Sequence, residues 1–244
     1  MERSLHRQIK ELYGSAPGAR VEAALAGFRI DAIGSDGLLI EVQSAALSPL
    51  RNKIEKLLEI GHQIRVVKPI IERKRIVTVD KRSGKVLGTR MSPSRGDTLE
   101  IFDEMVGVAR WLAEPGFSLE LLVVTIEEHR VTRKRRPGYA VKDRTLVETL
   151  GSITLMTPVD LWGLLPFAAL PQVFTTQDLA RALDRPRHFA QKVAYCLRTS
   201  GAAEVRGKIG NSHCYAARTR DAKIGDDLER TEPLMRGTTR AGSR

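Results

Sequence analysis

The sequence predicts an α/β fold: a mixed sheet flanked by helices, followed by a smaller helical module with its own β-hairpin. Three observations carry the prediction. Residues 1–70 alternate helical and extended periodicity in the order helix, strand, strand, strand, helix, strand. A capped helix joins the third and fourth strands, and such a crossover makes that pair parallel. Residues 174–218 then read helix, turn, helix, hairpin.

The elements follow from local chemistry. "ERSLHRQIKELY" places Leu5, Ile9 and Leu12 on one helical face, and "GSAPGA" ends it. "RVEAALAGFRIDAIGSDGLLIEVQ" gives three short strands, the last two turning at "GSDG". "SPLRNKIEKLLEIG" has Ser48 as N-cap, Pro49 at the first helical position and Gly61 after the end, with Leu50, Ile54, Leu57 and Leu58 inward. "HQIRVVKPI" is a buried strand, and "RKRIVTVDKRSGKVLGTR" is a basic hairpin turning at Ser83-Gly84. "LEIFDEMVGVARWLA" reads as one helix with Leu99, Phe102, Met105 and Val106 inward. "SLELLVVTIEEHRV" is an apolar strand, and "TRKRRPGY" an exposed basic loop. Residues 145–171 read as short helices linking two parts of the chain, with prolines at 158, 166 and 171. The last 26 residues, 219–244, lack periodicity and are expected to be disordered.

The chain has 244 residues and a formal net charge of +11, which favours a polyanionic partner, most often nucleic acid. The excess is clustered. Residues 1–61 are balanced, with eight basic and eight acidic side chains. Residues 73–95 carry eight basic against one acidic, 129–144 seven against one, and 174–218 eight against three. No run of 18 apolar residues exists, so no membrane span is expected. The charged N-terminus lacks the apolar core of a signal peptide. Two cysteines, Cys196 and Cys214, are too few for a disulfide scaffold, and a cytoplasmic location is expected.

Two acids interrupt the apolar strands of "RIDAIGSDGLLIEVQ". Alternation puts Glu41 and Gln43 on one face, and a hairpin across "GSDG" brings Asp31 and Glu41 to one end of the sheet. A carboxylate pair there is costly unless something positive joins it, and a hard divalent cation is the cheapest answer.

This order, with Asp on the second strand and Glu-x-Gln on the third, resembles the PD-(D/E)XK nuclease superfamily, the restriction-endonuclease-like fold. "IDAI…LLIEVQSAALS" is most similar to its competence-protein CoiA-like branch. The resemblance covers roughly residues 1–70. It implies that Asp31 and Glu41 bind Mg²⁺ (or Mn²⁺), with the Val42 carbonyl as third ligand and Glu22 as a candidate extra acid. It puts Gln43 where lysine usually stands, and glutamine supplies neither charge nor base. Lys53, on the flank of the Ser48–Ile60 helix, is the candidate substitute. The chemistry implied is metal-assisted phosphodiester hydrolysis.

Helix, turn, helix and hairpin over 172–218 match a winged helix, whose second helix enters the DNA major groove. That helix starts near Arg187 and turns Phe189, Ala190, Val193, Cys196 and Leu197 inward. His188, Gln191, Lys192, Tyr195 and Arg198 fall outward, suited to phosphate and base contacts. Arg206 and Lys208 tip the wing, and Lys134 and Arg135 add a backbone contact from the basic loop. His188, His213, Cys196 and Cys214 lack zinc-ligand spacing. The domains read as 1–144, nuclease-like with a basic β-rich extension; 145–171, a helical linker; and 172–218, the winged helix. The function expected is a metal-dependent DNA endonuclease or nickase. The alternative is a DNA-binding regulator on an inactive nuclease fold. RNA as partner and self-association are left open.

Overall fold

The computed structural model describes residues 4–218. The expected disordered tail, 219–244, lies outside the described residues. The chain opens with α1 (Ser4–Gly14), β1 (Arg20–Leu25), β2 (Phe28–Ile33) and β3 (Leu39–Val42). A 3-10 turn then leads into α2 (Arg51–Glu59) and the long β4 (Ile64–Val79). Next come β5 (Val86–Met91), the short α3 (Ile101–Met105), β6 (Phe117–Thr132) and β7 (Tyr139–Leu155). These seven strands form one sheet in the order β1-β2-β3-β4-β6-β7, with β5 added to the outer part of β4. The β3–β4 and β4–β6 pairs are parallel and the rest antiparallel, so the sheet is mixed, as the crossover predicts.

Its two faces carry separate cores. Leu5 and Ile9 of α1 pack on one face with Ala32, Ile40, Val42, Val67 and Val124. Ile54 and Leu57 of α2 and Phe102 and Met105 of α3 pack on the other with Leu39, Ile64, Val66 and Leu119. Pro69 lies within β4 because β3 ends opposite Val67 and β5 begins pairing only at Arg75. The missing N–H therefore faces a stretch with no strand partner.

The C-terminal part adds β8 (Val173–Thr175), α4 (Thr176–Leu183), α5 (Arg187–Ser200), β9 (Ala203–Ile209) and β10 (Ser212–Ala217). Its sheet runs β8-β10-β9. Thr175 caps α4 in a box with Asp178, and Gly201, at φ 89°, ends α5. The inward stripe of α5 is as the sequence predicts: Phe189, Ala190, Val193, Cys196 and Leu197 are all buried.

Several expectations are corrected. Residues 145–155 are not helical. They belong to β7, whose Thr145, Val147, Thr149 and Ile153 are β-branched and whose length pairs with β6 from Tyr139 to Leu155. Only Pro158–Leu164 and Phe167–Ala169 form 3-10 turns, so no helical linker spans 145–171. Nor does residue 144 bound a domain, because one continuous core joins Phe102 and Leu119 to Phe174, Leu179, Val193 and Leu197. Ser48 does not cap α2. The 3-10 turn Ser48–Leu50 precedes the helix, and Leu50 holds the α2 cap position without a side-chain bond. The helix expected over 99–113 breaks after Met105. Gly107 packs so closely on the Arg51 guanidinium that an added Cβ would lie 2.2 Å from it, and Val106 turns outward at 38% exposure. Leu12 is also exposed.

A single core predicts a single unfolding step. Phe102 is fully buried, and its carbonyl receives the Cys196 thiol at 3.7 Å. Phe102→Ala should cost ~3–5 kcal/mol, with the sheet and C-terminal module still unfolding together in urea. A variant in which only one part unfolds early would contradict the shared core.

Candidate functional site

Asp31 lies where β2 loses both neighbours. The β2–β3 ladder stops at Ala32–Ile40, one pair short of Asp31 and Glu41. On the other side the β1–β2 register runs Val21–Ala32 then Ala23–Ile30, leaving Glu22 and Asp31 outside the ladder. Glu22 holds φ 53°, a left-handed conformation that is uncommon for a non-glycine residue and strained.

Side chains replace the missing ladder. The Asp31 amide donates to Glu41 Oε1 at 3.3 Å, and the Val42 amide donates to Asp31 Oδ2 at 2.9 Å. The carboxylates thus fill the fork between diverging strands. Asp31 Oδ1 and Glu41 Oε2 receive no backbone hydrogen bond among the described residues.

Both charges are matched from the flanking helices. From α1, His6 Nε2 lies 3.6 Å from Asp31 Oδ2, and Lys10 Nζ lies 3.8 Å from Asp31 Oδ1. Lys10 also bonds Glu22 Oε1 at 2.8 Å, and Arg29 closes on the other Glu22 oxygen. From α2, Lys53 Nζ lies 2.5 Å from Glu41 Oε1 and 2.5 Å from the Arg29 carbonyl oxygen. Glu41 and Lys10 are only 5% and 7% exposed, so these are desolvated contacts that matter more than surface pairs.

The two acids respond oppositely. Burial pushes the Asp31 carboxyl up, but His6, the Val42 amide and Lys10 outweigh it, and it sits below its ordinary value. Burial also pushes Glu41 up, the neighbouring Asp31 charge adds to that, and Lys53 offsets it only in part, so Glu41 sits above its ordinary value. Their surroundings thus push two neighbouring carboxyls in opposite directions.

Of the expected site residues, the fold gathers Asp31, Glu41 and Lys53 directly. Gln43 follows Glu41 on the same face, half-exposed, with its backbone amide bonded to the Val67 carbonyl at 2.9 Å. Glu22 does not join the pair as a third acid, because Lys10 stands between it and Asp31. Among the described residues no group of three or more His, Cys, Asp or Glu side chains gathers as a ready-made metal cage. Three residues escape a reading of the sequence. His6 and Lys10 were visible only as an i, i+4 pair beside the Leu5/Ile9 stripe. Lys68, a lysine inside the apolar run of β4, is 7% exposed. It pins the chain leaving β3 by donating to the Ala45 carbonyl and to Glu104 Oε2, both at 2.7 Å.

The residues expected to bind DNA are all exposed: Lys134, Arg135, Arg187, His188, Gln191, Lys192, Arg198, Arg206 and Lys208. Some are already engaged. Lys192 bonds Asp103 Oδ1 at 2.7 Å across the seam to α3, Arg206 pairs with Glu204, and Arg198 lies over the Tyr195 ring. Cys196 and Cys214 are free and buried, and burial pushes the Cys196 thiol up to about 12.

The Lys53–Glu41 pair yields a pH-dependent test. A carboxyl raised above its unfolded value contributes stability that is present below the unfolded pKa of about 4.3 and lost as pH rises through the folded value. Lys53→Met removes the cation that limits this rise. Urea unfolding should show a loss of ~3–5 kcal/mol at pH 8 that shrinks toward pH 5. An equal loss at both pH values would mean that Lys53 acts through packing alone.

Residues 3–156, from α1 through β7, match the family model described as a domain of unknown function, DUF8091. The chain is also 31% identical over 218 residues to a protein of Treponema pallidum (strain Nichols) described as uncharacterized, covering 88% of this chain and 84% of the relative. No solved structure matches. The acid fork, both flanking helices and the long strands all fall inside the matched span, and the chain belongs to the DUF8091 family.

Proposed function

We propose that the chain is a metal-dependent DNA endonuclease or nickase of the PD-(D/E)XK, restriction-endonuclease-like kind, related to the CoiA-like branch. One observation carries the reading: Asp31 and Glu41 converge in the fork at the open end of β2 and β3, with Lys53 against Glu41. The C-terminal β8–α4–α5–β9–β10 unit is read as a winged helix that positions DNA, supported by its element order and by the exposed cations of α5 and β9.

The donor set suits Mg²⁺ or Mn²⁺: two hard carboxylates, each with one oxygen fixed by a backbone amide and a second oxygen outside the backbone bonds. Asp31 and Glu41 would hold the ion, which when bound supplies an activated water and neutralises charge on the phosphate. Lys53, 2.5 Å from Glu41 Oε1, fixes the orientation of that carboxylate and adds positive charge beside it. Lys10, bonded to Glu22 and 3.8 Å from Asp31 Oδ1, adds positive charge beside Asp31. Gln43 hydrogen-bonds but carries no charge, so Lys53 takes the electrostatic part that lysine plays at that position.

A second reading has its own support. Lys10 and Lys53 already balance the acid pair, and Gln43 is uncharged. Both features suit a DNA-binding regulator on a nuclease fold without activity.

Incubation with supercoiled plasmid and linear single-stranded DNA, with Mg²⁺ or Mn²⁺, separates the two. The nuclease reading expects metal-dependent nicking that falls at least about a hundredfold in Glu41→Ala and in Asp31→Asn. Absence of cleavage, with tight salt-sensitive binding equal in wild type and Glu41→Ala, would establish the regulator instead.

A further inference from the structure

The sheet carries a second feature far from the acid fork. Beyond Val67, β4 continues to Val79 beside β6, and the parallel register ends at Val79–Val131. The loops that follow, 80–85 after β4 and 133–138 after β6, therefore leave the sheet at the same end, side by side. The first carries Lys81, Arg82 and Lys85; the second carries Arg133, Lys134, Arg135 and Arg136. All seven side chains are exposed.

The shaft and the tip of this arm differ in electrostatics. Along the shaft several cations are neutralised internally. Arg75 pairs with Glu127 at 2.6 Å, and the almost fully buried Glu128 takes Arg130, Arg144 and Lys74 at 2.6, 2.8 and 3.9 Å. At the tip, among the described residues, none of the seven cations has an ion-pair partner. Asp80, the acid of the first loop, is committed to its own turn, accepting from the Arg82 amide, the Ser83 amide and the Ser83 hydroxyl. Both loops are preformed. Gly84 donates to the Asp80 carbonyl at 3.0 Å, Arg133 donates to the Gly138 carbonyl at 2.8 Å, and Arg130 covers the Tyr139 ring at the base. Apart from Pro137, neither loop contains an apolar side chain larger than glycine. The nearest exposed apolar side chains, Val86 and Leu87, lie on β5 just below the first loop.

From these observations we infer that the two loops form one clamp for the phosphate backbone of duplex DNA, held by the shared β4–β6 register at a fixed distance from the acid fork. The 12 residues from Val67 to Val79 span at most about 40 Å at roughly 3.3 Å per residue. That corresponds to roughly 12 base pairs of duplex at about 3.4 Å each. The inference rests on the DNA-acting reading for its partner but not on cleavage, since the clamp needs no metal and no intact acid pair.

The test is equilibrium binding of the full chain to a fluorescent 30-base-pair duplex across a salt series. Two tip variants are compared with wild type: Lys81, Arg82 and Lys85 to Gln, and Arg133, Lys134, Arg135 and Arg136 to Gln. A control changes Arg7, Arg20 and Lys56 to Gln. Each tip variant should weaken binding more than about tenfold and flatten the log–log salt slope by about two to four. The control should stay within about threefold of wild type. Equal affinities in wild type and tip variants would overturn the clamp, as would control and tip variants losing affinity alike. Phosphatidylserine vesicles run beside the duplex distinguish the other polyanionic surface; tip-dependent binding to vesicles alone would also overturn it. Plasmid nicking is scored separately, so tip-dependent binding without cleavage leaves the clamp standing while the nuclease reading fails.

Discussion

A buried carboxylate must be neutralised or hydrogen-bonded, and much of this architecture follows from meeting that demand twice in one fork. Asp31 and Glu41 take backbone amides that strand pairing leaves open, and Lys10 and Lys53 arrive from helices packed on opposite faces of the sheet. The registers of β1, β2 and β3 and the seating of α1 and α2 are therefore tied to one electrostatic arrangement. A slip of either helix by one residue would turn its lysine away from the acids and leave a desolvated charge, a penalty of several kcal/mol. That penalty explains why the strands tolerate an interrupted ladder at Asp31 and a left-handed backbone at Glu22: the side-chain network outweighs the local loss.

What was legible in the sequence was local and periodic. The order of the first six elements, the parallel crossover, the inward stripe of α5 and the pairing of Asp31 with Glu41 each follow from period, turn residues or spacing within a short window. The misreadings have long-range causes. Residues 145–155 are strand because their partner, β6, fixes them from outside the window, while the prolines at 158, 166 and 171 signal only a local break. The helix expected over 99–113 ends at Met105, and Arg51, more than fifty residues earlier, fills the space a side chain at Gly107 would need. His6 and Lys10 looked like the polar flank of an amphipathic helix. Nothing in their own segment shows that β2 opens a fork beneath them.

The same strand links the two charged regions. β4 pairs with β3 beside the acid fork and with β6 along the arm, so the position of the tip relative to the fork is a matter of backbone register rather than of flexible linkage. The buried Glu128 serves this rigidity. With Arg130, Arg144 and Lys74 it ties β4, β6 and β7 together partway along the arm, and those cations hold its carboxyl below the ordinary value despite burial. The shaft spends its positive charge on cohesion and leaves the charge at the tip available to a partner.

Charge balance at the fork bears on how a metal and a substrate would meet there. Asp31 and Glu41 are matched by Lys10 and Lys53, while Glu22 is matched by Arg29, so the cluster carries no excess negative charge to draw a divalent cation from a distance. An approaching phosphodiester changes this balance, because its negative charge competes for the lysines and adds oxygen donors next to the carboxylates. If the proposed nuclease reading holds, electrostatics makes metal and DNA bind interdependently, each raising the affinity for the other by the same factor. In the proposed nuclease, a chain that holds DNA first, through basic surfaces away from the fork, would deliver the phosphate that makes the acid pair a competent cation site. The separation of the tip from the fork fits, within that proposal, an order in which electrostatic capture would precede assembly of the metal site.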